Sequence, residues 1–130
     1  MQSKANQGTF LRTEETWRRY KKAPRRGNEK CFMCNAEESE MVIMAEFEHW
    51  LIVENQYPYD AVADVHHLLI PRRHVKRFEE LNHQEMREHD IIMLRFEANG
   101  AYDCRMNNFP IGQSHPTHYH THLLRWHRRE

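Results

Sequence analysis

His118-Tyr119-His120-Thr121-His122-Leu123-Leu124 reads as a β-strand. Side chains of a strand alternate between faces, so His118, His120 and His122 share one face while Tyr119, Thr121 and Leu123 take the other. Neighbours on a face stand roughly 6–7 Å apart, which holds three imidazoles in a rigid row positioned for one substrate. A purely structural sheet face would carry β-branched or aromatic residues instead. Imidazole serves as metal ligand, acid, base or nucleophile, so the row marks a site of chemistry. The composition agrees, since 11 of the 130 residues are histidine.

Just upstream lies Gly112-Gln113-Ser114-His115-Pro116. Glycine permits a tight turn and close approach of backbone N–H groups to an anion, and Gln113 and Ser114 add neutral donors. Donors leading into a row of imidazoles suit a phosphate. One imidazole attacks phosphorus, the donors hold the non-bridging oxygens, and a second imidazole assists the leaving group. Neutral imidazole is abundant at pH 7, and the phospho-imidazole it forms is itself reactive to water.

Further back, Ala101 to Met106 reads as a strand, and the row itself as a strand over Thr117 to Leu124. Asn82 followed by Glu85 is a capping-box pattern, opening a helix that carries Ile91, Ile92, Leu94 and Phe96 and stops near Asn99-Gly100. His67 to Ile70 is a strand stopped by Pro71, and Gln56 to Asp60 a loop. Met41 to Ala45 and Trp50 to Val53 make a hairpin. Residues 1–28 read as an N-terminal extension and 29–130 as the domain proper. In the extension, Thr13-Glu14-Glu15 opens a short helix, Arg18, Arg19, Lys21 and Lys22 suit its end, and Trp17 and Tyr20 dock it. Pro24-Arg25-Arg26-Gly27 breaks that helix and reads as a solvated end. The predicted class is α+β: a mainly antiparallel five-stranded sheet, one main helix and an N-terminal helical extension. Met41, Met44, Met86, Met93 and Cys104 are core candidates, Arg72 and Arg73 a solvated pair, and Tyr57 and Tyr59 candidates for a base pocket or for packing beside Pro58.

A chain of this length holds one domain. It is 39% apolar and 29% charged, and no apolar run approaches the roughly 18–20 residues of a membrane-spanning helix. MQSKANQGTF lacks the apolar centre of a secretion signal, so a cytoplasmic setting is expected. Lys plus Arg and Asp plus Glu each number 19, so bulk charge neither predicts nor excludes an anionic partner, and nucleic acid is not the expected one. Three cysteines do not make a disulfide framework. In Cys31-Phe32-Met33-Cys34 two thiolates could grip one tetrahedral ion that needs two further ligands, the other reading being a pair of plain thiols. His118-x-x-x-His122 has finger-like spacing but lies more than eighty residues from the cysteines, which argues against a free-standing zinc finger.

The His-x-His-x-His run with its apolar tail and its Gly-Gln-Ser prelude resembles the histidine-triad (HIT) superfamily of nucleotide hydrolases and transferases. His66-His67-Leu68-Leu69-Ile70-Pro71-Arg72-Arg73-His74-Val75 is similar to the family's strand ending in Pro-Lys-x-His. Asn55-Gln56-Tyr57-Pro58-Tyr59 resembles the nucleoside-binding loop of members that cleave dinucleoside polyphosphates, and Cys31-x-x-Cys34 the zinc knuckle of many bacterial members. The resemblance runs from Cys31 to Arg125. It implies a nucleotide hydrolase acting at the α-phosphate, with His120 as the nucleophile of a nucleotidyl-histidine intermediate. It sets His122, with His118 beside it in the catalytic triad, and Gln113 and Ser114 on the reacting phosphate or leaving group, Asn55 near the ribose and His66 near the triad. It gives a structural zinc with ligands Cys31, Cys34, His74 and His118, and it implies a homodimer. A third histidine, where uridylyltransferase relatives carry glutamine, favours hydrolysis over nucleotidyl transfer.

The sequence departs from the family in three places. Four steps rather than three separate Ser114 from His118, Val65 stands where the family has glycine before His66, and six residues follow Leu124 where many members carry a longer tail. Trp126 fits packing at a sheet edge, and His49, His83, His89, His115 and His127 surface or packing positions. Two other functions compete: a zinc-stabilised nucleotide- or nucleic-acid-binding module with little activity, and a metalloenzyme in which the three histidines bind the ion.

Overall fold

The computed structural model describes residues 10–23, 31, 33, 34, 41–107, 109 and 118–128 of the chain. Helix α1 spans Glu14–Lys22, and strands β1, β2 and β3 span Ile43–Glu46, Trp50–Glu54 and Ala63–Pro71. A single 3-10 turn at Phe78–Glu80 precedes helix α2, His83–Asn99, which is followed by β4, Cys104–Met106, and β5, Thr121–Trp126. The strands form one sheet in the order β1-β2-β3-β5-β4, and every neighbouring pair is antiparallel.

The register sorts side chains onto two faces. Opposite residues share a face, so the pairs Ile52↔Leu69 and Leu69↔Thr121 place one set together, and Val53↔Leu68 and Leu68↔His122 the other. The first face is the main core. Trp50, Ile52, Leu69 and Leu123 pack there with Tyr119, Val75, Leu81 and the α2 residues Ile92 and Met93. Burying each such aliphatic side chain contributes about 1.5–3 kcal/mol. The second face carries two smaller clusters with His66 and His122 between them in the register. One joins Met33 and Met41 to Leu51, Val53, Leu68 and Ile70. The other joins Tyr59, Ala63 and Leu124 to Leu11.

Helix α2 begins where the capping box set it. The Asn82 side chain accepts from the Glu85 N–H and the Glu85 carboxylate accepts from the Asn82 N–H, both at 2.8 Å. It ends at Gly100, whose φ of 66° is the left-handed turn that a residue with a Cβ rarely adopts. Ile91 and Leu94 point outward at 47% and 64% exposed, because a helix on one sheet face buries a single stripe. Met44, a core candidate, is exposed, standing where the register of the edge strand β1 shifts between Ile43 and Ala45. Strand β5 starts at Thr121 rather than Thr117, because the Tyr119 N–H bonds the Val75 carbonyl at 2.7 Å instead of joining the ladder. Thr117 itself lies outside the described residues. The fourth strand is shorter than expected, beginning at Cys104, and the third longer, beginning at Ala63. Trp126 is 40% exposed.

Arg72 and Arg73 are exposed, as expected of a solvated pair, and each is also held by protein. Arg72 bonds the Phe47 carbonyl at 2.8 Å. The Arg73 guanidinium forks onto Glu85, with Nη2 at 2.8 Å and Nε at 3.1 Å from the two carboxylate oxygens. Glu85 thus ties the end of β3, and His74 next to it, to the start of α2. The Arg73 bonds, helped by the Asn82 N–H and opposed by burial, hold the Glu85 carboxyl below its ordinary range. A depressed carboxyl contributes stability above the unfolded pKa and loses it as pH falls through the folded value. Glu85→Gln is therefore expected to lower the melting temperature by a few degrees at pH 7. The gap between variant and wild type should close below about pH 4, as thermal melts across that range can check.

Candidate active site and metal centre

The rows at the end of β3 and the start of β5 converge. His118 is fully buried, and His120 and His122 are 8% and 4% exposed. Each ring is held by a partner that fixes which nitrogen carries the proton. A carbonyl only accepts, so His118 donates from Nε2 to Pro71 O at 2.9 Å, and His120 donates from Nδ1 to His118 O at 2.8 Å. His118 therefore presents the Nδ1 lone pair, and His120 the Nε2 lone pair. The backbone around His120 is clamped by Asn107, whose Nδ2 donates to the His120 carbonyl at 2.7 Å and to Thr121 Oγ1 at 3.0 Å.

His122 is set by a longer chain of donors. The Tyr59 N–H donates to His66 Nδ1 at 3.0 Å, which leaves the proton of His66 on Nε2. That nitrogen lies 2.8 Å from His122 Nδ1 and donates to it. His122 must then carry its own proton on Nε2, a buried N–H with no partner among the described residues. The site thus offers a lone pair on His120 and, next along the row, an unspent donor on His122. Their rings lie 4.9 Å apart. Asn55 borders the same place. Its Oδ1 accepts from the Tyr57 N–H at 2.8 Å, which turns its Nδ2 toward the His66 ring, 3.3 Å from Nε2.

These histidines are neutral. Burial, aided by the Arg12 charge and by His120, pushes His66 down to about 3. Burial, aided by His120, His66 and Arg12, pushes His122 down to about 2. Burial also lowers His120, against the opposing pull of the His118 carbonyl. A neutral imidazole keeps the free lone pair that nucleophilic attack requires.

The His118 Nδ1 lone pair points at a second cluster. It lies 3.3 Å from Cys31 Sγ, 3.4 Å from Cys34 Sγ and 3.1 Å from His74 Nδ1, and Cys34 Sγ is 3.2 Å from His74 Nδ1. All four ligand atoms fall within 4.8 Å of one another. A tetrahedral ion with arms of about 2.0 Å to nitrogen and 2.3 Å to sulfur separates its ligands by roughly 3.3–3.8 Å, so the four residues are close enough to bind a metal ion, as zinc requires. Burial and the adjoining Cys31 push the Cys34 thiol up to about 12, so an ion must displace its proton to bind. His120 and His122 stand outside this cluster, each engaged at Nδ1 by protein, which disfavours the three histidines as a common metal site.

The structure brings together His66, Asn55, His118, His120 and His122, and separately Cys31, Cys34 and His74 around the His118 ring. Gln113, Ser114, His115 and the Pro24–Gly27 run lie outside the described residues. Tyr59 is buried, with its ring 4.2 Å from His66 and 5.4 Å from His122. Tyr57 is met by α1 through Tyr20 at 5.5 Å and Arg19 at 5.6 Å. Asn107 and Arg12 were not legible as site residues, since each acts through a contact distant in sequence.

No family model and no curated protein matches the sequence. Solved structures do resemble it. A HIT family hydrolase from Clostridium thermocellum is 26% identical, with a TM-score of 0.55 over 74% of this chain and 90% of that one. A histidine triad protein from Clostridium difficile is 20% identical, with a TM-score of 0.58 over 79% and 95%. A HIT family hydrolase from Legionella pneumophila is 23% identical, with a TM-score of 0.55 over 73% and 91%. Among the described residues no helix is long and apolar enough to cross a membrane.

The neutral histidines make the fold acid-sensitive. Below about pH 6.5 the unfolded chain takes up protons at positions 66 and 122 that the folded chain refuses. Stability is then expected to fall from pH 7 to pH 5, by up to about 1.4 kcal/mol per pH unit for each of the two. Urea titrations at several pH values measure the slope, and His122→Asn should flatten it.

Proposed function

Since this chain has the histidine-triad fold, we propose that it is a nucleotide hydrolase that cleaves a phosphoanhydride or phosphoramidate bond at the α-phosphate through a covalent His120 adduct. The observation that carries this reading is the pair of ring nitrogens described above: a lone pair on His120 Nε2 beside an unpartnered N–H on His122. In the first step His120 Nε2 bonds to the α-phosphorus as the bond to the leaving group breaks. The His122 N–H donates to an oxygen of the reacting phosphate or of the leaving group, where negative charge gathers. Gln113 and Ser114 hold the remaining phosphate oxygens, and Asn55 meets the ribose. In the second step water attacks phosphorus, and the nucleoside monophosphate leaves with His120 restored. Each displacement passes through an arrangement that the fixed rings need not reorganise to meet.

In the same reading Cys31, Cys34, His74 and His118 hold one zinc. Four protein ligands close its shell, so its work is structural: it pins the Cys31–Cys34 turn to the end of β3 and to the residue whose carbonyl orients His120. A cytoplasmic homodimer belongs to the reading as well, and the exposed Ile91 and Leu94 of α2 are apolar side chains that a second copy could cover.

His120→Ala is expected to lose at least a thousandfold in turnover of adenosine phosphoramidate or diadenosine polyphosphates while keeping its fold and one zinc per chain. Wild-type protein quenched during turnover should carry an acid-labile nucleoside monophosphate in mass spectra. Unchanged turnover in the variant, or nucleotide that binds and returns intact, would overturn the proposal. Removing zinc with a chelator should lower both melting temperature and turnover, and Cys34→Ser should lose the ion, as elemental analysis reads directly.

A further inference from the structure

The N-terminal segment is docked on the same sheet face as the histidine row. Leu11 packs against Tyr59, Ala63 and Leu124, and its carbonyl accepts from the Ala61 N–H at 2.9 Å. Asp60 fastens the start of α1, accepting from the Thr13 N–H at 2.8 Å, from Thr13 Oγ1 at 3.2 Å and from Thr16 Oγ1 at 2.6 Å. Between these two anchors sits Arg12. Its Nε donates to the Tyr57 carbonyl at 2.7 Å. Its guanidinium carbon lies 4.3 Å from the Tyr20 ring centre and 4.9 Å from that of Tyr59.

That placement is incomplete as a structural contact. Two aromatic rings and one carbonyl fix the guanidinium in place, yet its two terminal nitrogens have no hydrogen-bond partner among the described residues. No carboxylate there forms an ion pair with it, and the nearby Asp60 carboxylate is spent on Thr13 and Thr16. Asp60 acts on this partly buried cation only at a distance, so its two open N–H groups are free to meet an arriving anion. Tyr59, on which Arg12 sits, also touches the His122 ring at 5.4 Å. The open fork therefore stands one aromatic ring beyond the unspent N–H of His122, along the same face.

We propose that Arg12 binds a second phosphate of the substrate, so that the N-terminal segment completes the site and selects nucleotides whose leaving group is itself a phosphate. This rests on the hydrolase reading above and narrows it, favouring phosphoanhydrides over phosphoramidates with a neutral amine leaving group. A planar guanidinium held by its Nε presents two parallel N–H donors, the geometry that meets phosphate oxygens in pairs. The role is specificity, not bond-making: Arg12 touches the substrate beyond the reacting phosphorus.

Two measurements test it. In turnover, Arg12→Gln should lower kcat/KM for a dinucleoside polyphosphate about tenfold or more, while adenosine phosphoramidate changes less than about twofold. In binding, calorimetry on His120→Ala protein, which does not turn over, should show ADP held more tightly than AMP. Adding Arg12→Gln should erase that preference and leave adenosine affinity unchanged. Equal losses for every ligand would mean that Arg12 only docks the segment, and unchanged ADP affinity would mean that it meets no phosphate; either result overturns the proposal. Absence of turnover and of a covalent adduct in wild-type protein would instead remove the hydrolase reading, and the binding comparison would still read Arg12.

Discussion

His118 is the residue on which the rest of the site depends. Its ring nitrogen Nε2 is tied to the Pro71 carbonyl, its Nδ1 faces two thiols and the His74 ring, and its own carbonyl fixes the tautomer of His120. One buried residue thereby links the end of β3, the Cys31–Cys34–His74 cluster and the nucleophile proposed at position 120. A shift of that backbone would move the Nδ1 contact that aims His120, since the bond runs from ring to carbonyl within two residues. The cluster is on this view a device for positioning, and its remoteness from the reacting nitrogen is consistent with that.

The second organising feature is the directional chain from the Tyr59 N–H through His66 to His122. Each step consumes one acceptor and passes the proton outward, so the last ring ends with a donor that no group among the described residues accepts. Low polarity around the rings keeps them neutral, and neutrality is what makes the tautomers meaningful: a protonated ring would have no lone pair to attack with or to accept with. The fold sets up this arrangement before any substrate arrives, which is the sense in which it is preorganised. It is also why the acid limb of stability and the chemistry share a cause.

Much of this was readable in the sequence, and what failed did so for a physical reason. The histidine row and the α2 capping box are local patterns, with periods of two residues and a spacing of three; the capping box forms as read, whereas of the row only His122 lies within β5. The residues Cys31, Cys34, His74 and His118 came from a resemblance of spaced motifs, and the fold brings their ligand atoms together. The Gly-Gln-Ser loop is outside the described residues and adds nothing here. Local patterns could not reveal that Tyr119 leaves the ladder to bond Val75, which delays β5, or that Glu85 answers both a cap and Arg73. Nor could they place Arg12, whose partners Tyr57 and Tyr59 are more than forty residues away and meet it through tertiary packing alone. Helical periodicity tells which residues share a stripe, and packing decides which stripe is covered: Ile92 and Met93 are buried while Ile91 and Leu94 are exposed.

The covalent role of His120 leaves a mark on phosphorus that no binding measurement carries. A substrate made chiral at the α-phosphorus by sulfur substitution, hydrolysed in isotopically labelled water, reports how many displacements occur. Two in-line displacements, first by His120 and then by water, predict overall retention of configuration. Inversion would mean that water attacks the substrate directly, and the account of His120 as nucleophile would be wrong.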